Sequence, residues 1–271
     1  MIPINVDRNV SPKDFDRFSA VHGWDILVVT SVFRTFQGEG PFGGYPAVFV
    51  RLAGCNIGAK EDCPWCDTRF NIDEGTAYTF SRLTDVITPL LGPNRLIVVT
   101  GGEPLLQYDK LCAFITHVNN QRRLYNGDPL LWQIETNGLL LRPEMEKFFR
   151  QQNVHCVISP KIPHNRVGYR ETPLWWQYMV GCASLKYVVS ADRDSPYHLP
   201  ALDASSTRLP VFVSGMAVYR RTLNTGEVAS IWDDTLIDRE ATAANYMHAA
   251  SVAMRLGYRV SYQTHLFGVK E

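Results

Sequence analysis

The sequence has no run of apolar residues long enough to cross a bilayer; stretches such as "ILVV" and "LIVV" stop after four residues. It has no surplus of either charge, with 27 Lys and Arg against 27 Asp and Glu, so the broad basic face that non-specific nucleic-acid binding needs is not expected. The first residues, "MIPINVDRNVSPKDFDRFSAVHGWD", carry charges throughout and offer no apolar core for a secretory signal. No internal repeat and no low-complexity segment interrupts the chain. Six cysteines without such a signal point to a reducing compartment, with the cytoplasm as the expected location, and to thiols that are free or metal-bound.

What is present is ordinary globular material: 271 residues, 45% hydrophobic and 11% aromatic, enough for a substantial core. Branched and aromatic runs ("DILVVTSVF", "YPAVFVRLA", "NRLIVVT", "LLWQIET", "HCVISP", "SLKYVVS", "LPVFVS", "YRVSYQT") read as strands. Between several of them lie helical patterns: "FSRLTDVITPLL", "LLQYDKLCAFITHVNNQ", "RPEMEKFFRQQ", and a last helix capped by Asp238 and stopped at Gly257. This alternation predicts an α/β fold with mainly parallel strands, residues 25–271 forming the core and residues 1–24 an N-terminal extension. Polar motifs fall directly after strands ("TGGEP", "ETNG", "SPK", "QTH"), and in parallel barrels and partial barrels those strand ends form one active rim.

"AGCNIGAKEDCPWCDT" gathers Cys55, Cys63 and Cys66 in one loop with no histidine between or just after them. A closed zinc site wants four ligands, and a disulfide is disfavoured in a reducing compartment. Three thiolates also suit a 4Fe–4S cluster whose fourth iron stays open to a small molecule, whereas electron-transfer clusters take four cysteines. The spacing by itself leaves zinc and iron open. Cys112, Cys156 and Cys182 read as small core residues.

Taken together and in order, "FQGEGPFGGYPAVFVRLAGCN", "WCDT", "VVTGGEP", "QIETNG", "VISPK" and "QTH" resemble the 7-carboxy-7-deazaguanine synthases, a radical S-adenosylmethionine (SAM) family. The resemblance implies a partial, open (β/α) barrel, and a 4Fe–4S cluster on Cys55, Cys63 and Cys66. The family commonly shows C-x3-C-x2-C, so four residues are added here before Cys63. It further implies SAM binding by Gly101, Gly102 and Glu103, by Glu135 at the ribose, and by Ser159, Pro160 and Lys161. Phe36, Gln37, Gly38, Glu39, Arg51, Thr100 and His265 become substrate contacts. Arg51 would take the substrate carboxylate, Glu39 the guanidine-like edge of a pterin, and Gln263 would close the pocket with His265. Lys186 and Ser190 are weaker candidates for the same cavity. Thr68 becomes the protein ligand of Mg2+.

The implied reaction converts 6-carboxy-5,6,7,8-tetrahydropterin to 7-carboxy-7-deazaguanine with loss of ammonia, in queuosine and deazapurine biosynthesis. It begins with hydrogen abstraction by a 5′-deoxyadenosyl radical, and SAM is regenerated. A flavodoxin or ferredoxin would supply electrons, and the chain would pair as a homodimer, with neither nucleic acid nor membrane as partner. Two alternatives stand beside this: a radical SAM activase of a partner protein, and a zinc-stabilised binding module without catalysis.

Overall fold

The computed structural model describes residues 23–57, 75–124, 129–162, 169–170, 173–201, 207–219 and 237–263. Among them, nine strands form one sheet: β1 (Ile26–Phe36), β2 (Pro46–Leu52), β3 (Thr76–Thr79), β4 (Leu96–Gly101), β5 (Leu131–Thr136), β6 (Val154–Ile158), β7 (Ala183–Val189), β8 (Val211–Gly215) and β9 (Arg259–Ser261). Their order is β3-β1-β2-β4-β5-β6-β7-β8-β9. From β2 onward every pairing is parallel. Only the β1 pairings with β2 and β3 are antiparallel. The order never returns on itself, so the sheet is open, as the family resemblance implies.

Among the described residues, four α-helices accompany it: α1 (Phe80–Leu91), α2 (Tyr108–Leu124), α3 (Met145–Gln151) and α4 (Arg239–Leu256). The cap expected at Asp238 forms, its side chain accepting from Ala241 N, and Gly257 turns the chain left-handed at φ 70°. Among the described residues, no helix is long and apolar enough to cross a membrane. Strand β3 was not foreseen. Its sequence "TAYT" is largely exposed and shows no buried alternation, so the period-2 signal is missing.

Strand parity sorts the side chains into two environments. Val50, Leu52, Ile97, Val99, Trp132, Ile134, Cys156, Ile158, Leu185 and Tyr187 face the helices and pack with Leu83, Ile87, Phe114, Ile115 and Phe149 in the main core. The opposite face begins with a smaller apolar cluster of Phe33, Ala47, Phe49, Leu96 and Val98, where Phe33 and Phe49 stack with centroids 5.3 Å apart. Towards the C-terminal strand ends this face turns polar, with Arg51, Thr100, Gln133, Glu135, Ser184 and Lys186.

β1 and β9 lie seven strand spacings apart in the sheet order, on the order of 30 Å if flat. Yet Tyr262 N donates to Gly38 O at 3.1 Å, and Gly40 N to Ser261 Oγ at 3.4 Å. The sheet is therefore curled, and the loop after β1 bridges its two ends across the polar face. Gly40 has φ 67°, and a Cβ there would lie 2.6 Å from Val157 Cγ2, so only glycine lets the loop lie this close to the sheet.

His155 lies under this loop, 3.0 Å from Ser184 Oγ and edge-on to Phe42. Burial lowers its pKa from the ordinary 6.5 to about 4. Its contribution to stability is complete above pH 6.5 and is lost as the pH falls towards about 4. The wild type should lose up to about 3 kcal/mol over that window, and His155→Gln clearly less, in urea unfolding at stepped pH. A parallel acid dependence of the two proteins would remove His155 as the cause.

Gly102 makes the closest backbone approach: a Cβ there would lie 1.9 Å from Gly54 O. Gly102→Ala should therefore destabilise by about 2 kcal/mol or more. Gly43→Ala, whose Cβ would meet nothing nearer than 3.7 Å, should stay within about 0.5 kcal/mol. Equal denaturation midpoints for the two variants would contradict this packing.

Candidate active site

The rim is built by backbone pairing between strand ends. Gly102 N donates to Leu52 O at 3.1 Å and Glu103 N to Gly54 O at 2.8 Å, so the "GGEP" turn lies directly against Ala53–Gly54–Cys55. Gln107 locks this corner from behind. Its Nε2 donates to Val28 O and Ala53 O, and its Oε1 accepts from Val28 N. Cys55 is buried at this corner. Cys63, Cys66 and Thr68 lie outside the described residues, as does His265.

The Glu103 carboxylate is fully buried and turned into the protein. It accepts from Leu105 N (2.9 Å), Thr136 Oγ1 (2.7 Å) and Asn137 N (2.8 Å). Burial raises its pKa, while these three donors and the Lys161 charge pull the other way. Asn137 in turn donates to Asn56 Oδ1 at 2.8 Å. One chain of hydrogen bonds thus runs from "GGEP" through "ETNG" to the residue after Cys55. At the next strand end Ser159 N donates to Thr136 O, Lys161 Nζ donates to Ser159 Oγ at 2.9 Å, and Pro160 stands between them.

Glu135 goes elsewhere. It follows the inward parity of β5, and its carboxylate accepts from Gln37 Nε2 (2.9 Å), Gln133 Nε2 (3.2 Å) and Thr100 Oγ1 (2.8 Å). The structure therefore joins Glu135 to Gln37 and Thr100, two residues read from the sequence as substrate contacts. Burial raises its pKa, and Glu39 adds to that; Lys186, Gln37 and Thr100 oppose it.

The bridging loop lies across this group of side chains. Gln37 Oε1 accepts from Glu39 N at 2.9 Å. The Glu39 carboxylate is ion-paired with Lys186 on β7 and accepts from Gln263 Nε2 at 2.9 Å. Gln263 N donates to Tyr246 Oη, which also lies 3.4 Å from Ser214 Oγ. Arg51 stands opposite Thr100 in the β2–β4 register, its guanidinium over the ring of Phe33. Phe36, at the end of β1, is exposed at this stage.

Gln133 and Tyr246 were missed from the sequence. Gln133 had a signal, because a largely buried central strand carries polar residues at 133 and 135, the period of one face. Tyr246 had none, since it reaches the pocket from a helix. The three described thiols outside the cluster loop are not reactive sites. Burial raises Cys112 to about 12, and likewise pushes Cys156 and Cys182 upwards.

No family model matches the chain. A 7-carboxy-7-deazaguanine synthase of Rickettsia prowazekii is 30% identical over 245 residues, covering 89% of this chain and 87% of the relative. One of Rhodospirillum rubrum is 33% identical over 258 residues, covering 88% and 90%. Among solved structures, QueE from Escherichia coli superposes with a TM-score of 0.50 at 21% identity, over 88% of this chain and 94% of that one, a likeness of fold. With identity at this level along nearly the whole of both sequences, and a rim and pocket assembled from the same motifs, the chain belongs to the 7-carboxy-7-deazaguanine synthases.

Proposed function

We propose that this chain is a radical SAM carbon–nitrogen lyase that converts 6-carboxy-5,6,7,8-tetrahydropterin to 7-carboxy-7-deazaguanine with release of ammonia. One observation carries the reading. A cluster of hydrogen-bonded donors and acceptors, with Gln37, Glu39, Thr100, Gln133 and Lys186 buried, lies at the strand ends that also lead to Cys55 and the "GGEP" turn.

The residues fit the groups they would hold. Cys55, with Cys63 and Cys66 outside the described residues, would hold the 4Fe–4S cluster. The donor set at the neighbouring strand ends, an ammonium on Lys161, the Ser159 hydroxyl and the glycine backbone, suits the amino-acid part of SAM. When bound, cluster and SAM supply hydrogen-atom abstraction from a carbon of the substrate.

The protein's own part is to orient the pterin and keep water out. Arg51 offers a planar fork to the substrate carboxylate. Thr100 and the carboxylates of Glu39 and Glu135 accept from the amino and ring N–H groups of the pyrimidinone edge. Because Glu39 is buried and both carboxylates are already hydrogen-bonded, their orientation is set before substrate arrives. The same reading takes Mg2+ on Thr68, His265 at the pocket, a flavodoxin or ferredoxin as reductant, a homodimer, a cytoplasmic location, and residues 1–24 as an extension of the 25–271 core. A convergent set of buried polar side chains favours a small polar heterocycle over the protein substrate of an activase.

Reconstituted, reduced protein given SAM, Mg2+ and the carboxypterin should form the deazaguanine acid, detected by mass spectrometry, and Cys55→Ala should form none. Release of 5′-deoxyadenosine alone would leave the radical chemistry and refute the substrate. Arg51→Met should raise KM for the carboxypterin by about 10- to 100-fold, the loss of a charge-assisted hydrogen bond of about 1.5–3 kcal/mol. An unchanged KM would remove Arg51 as the carboxylate anchor.

A further inference from the structure

Lys186 stands in the pocket wall with 8% of its surface exposed. A lone ammonium so placed would lose its proton or be driven out. Here burial pulls its pKa down, but Glu39 first and Glu135 second more than offset this, and the net shift is upward. The lysine pairs directly with Glu39, and Glu39 connects through its backbone N–H and Gln37 to Glu135. One cation thus faces two glutamates, and a single glutamine joins the backbone N–H of Glu39 to the carboxylate of Glu135.

We propose that Lys186 is a positioning residue, whose ammonium fixes the Glu39 carboxylate in its ionised form across the pocket as acceptor for the donor edge of the bound heterocycle. The identity of that heterocycle rests on the carboxypterin reading above.

Among the described residues, Lys186 is the side chain whose ion pair with Glu39 the structure gives. From β5 comes a second carboxylate, Glu135, whose pKa is raised by burial and by the neighbouring Glu39. Tyr246 on α4 has its pKa raised by burial and stays a neutral phenol. His155 on β6, pushed down to about 4, stays a neutral imidazole near neutral pH. Arg51 on β2 is seated over the Phe33 ring beside Thr100. Without the Lys186 charge, two carboxylates would share one buried space, and one of them would take up a proton. A protonated Glu39 presents a hydroxyl where the substrate presents N–H, so donor would meet donor.

The test combines infrared spectroscopy with kinetics. Carboxyl-stretch difference spectra, assigned by Glu39→Gln, should show Glu39 ionised in the wild type from about pH 6 to about pH 9. Lys186→Met should show a protonated Glu39 growing in as pH falls. Its KM for the carboxypterin should rise about tenfold or more near pH 7 and recover towards alkaline pH, with kcat changed by less than about threefold. Lys186→Arg should restore the flat profile. If Lys186→Met does not accumulate folded, Lys186→Gln carries the same spectra. An ionised Glu39 throughout in the neutral variant, or a fall in kcat at constant KM with no new pH dependence, overturns the proposal. Spectra as expected together with a wild type inert towards the carboxypterin would keep the role of Lys186 and defeat the substrate assignment instead.

Discussion

An open sheet of nine strands has two free edges and no intrinsic reason to hold one curvature. Here the curl is held by a loop of four residues, Gln37–Gly40, whose backbone reaches the far strand and whose carboxylate is paired with the wall it crosses. The Glu39–Lys186 contact is the constraint on which the site depends. It satisfies a buried anion, neutralises a buried cation, and sets the distance between the first and seventh strands. Neither group is tolerable there alone, so the loop, the curl and the pocket form together.

A second constraint is strand parity. Glu135 and Thr136 are adjacent letters of one motif, yet the pleat sends them to different places. Glu135 points to the pocket with Gln37 and Thr100, whereas Thr136 serves the Glu103 carboxylate that ties "GGEP" to "ETNG". The glutamate of "GGEP" thus works as a brace between strand ends, and the Asn137–Asn56 bridge extends that brace to the cysteine corner. A motif in sequence is here two half-sites in space.

This explains what could be read in advance. The parallel strands and the four helices were legible because each buries a face with the right period, and the Asp238 and Gly257 stops are local chemistry. β3 was not, since an exposed edge strand needs no pattern. Strand ends alone gathered Thr100 and Gln263 at one rim, whereas Glu39 and Arg51 were named through the family resemblance. The destination of Glu135 did not, because it depends on which face the curl makes concave. Gln107 and Tyr246 act from a turn and a helix, and no local rule marks a side chain that will reach two strands away.

The pocket also has a history in the folding chain. Glu39 and Gln263, which meet at 2.9 Å, are 224 residues apart. Contacts of that span close only after the intervening strands and helices have ordered the sheet, because each pays a large loop entropy before it is rewarded. On the ribosome, the helix-covered core can consolidate while the loop after β1 still waits for β9. The site is therefore the last part of the molecule to be completed and, by the same reasoning, the first to open under mild destabilisation.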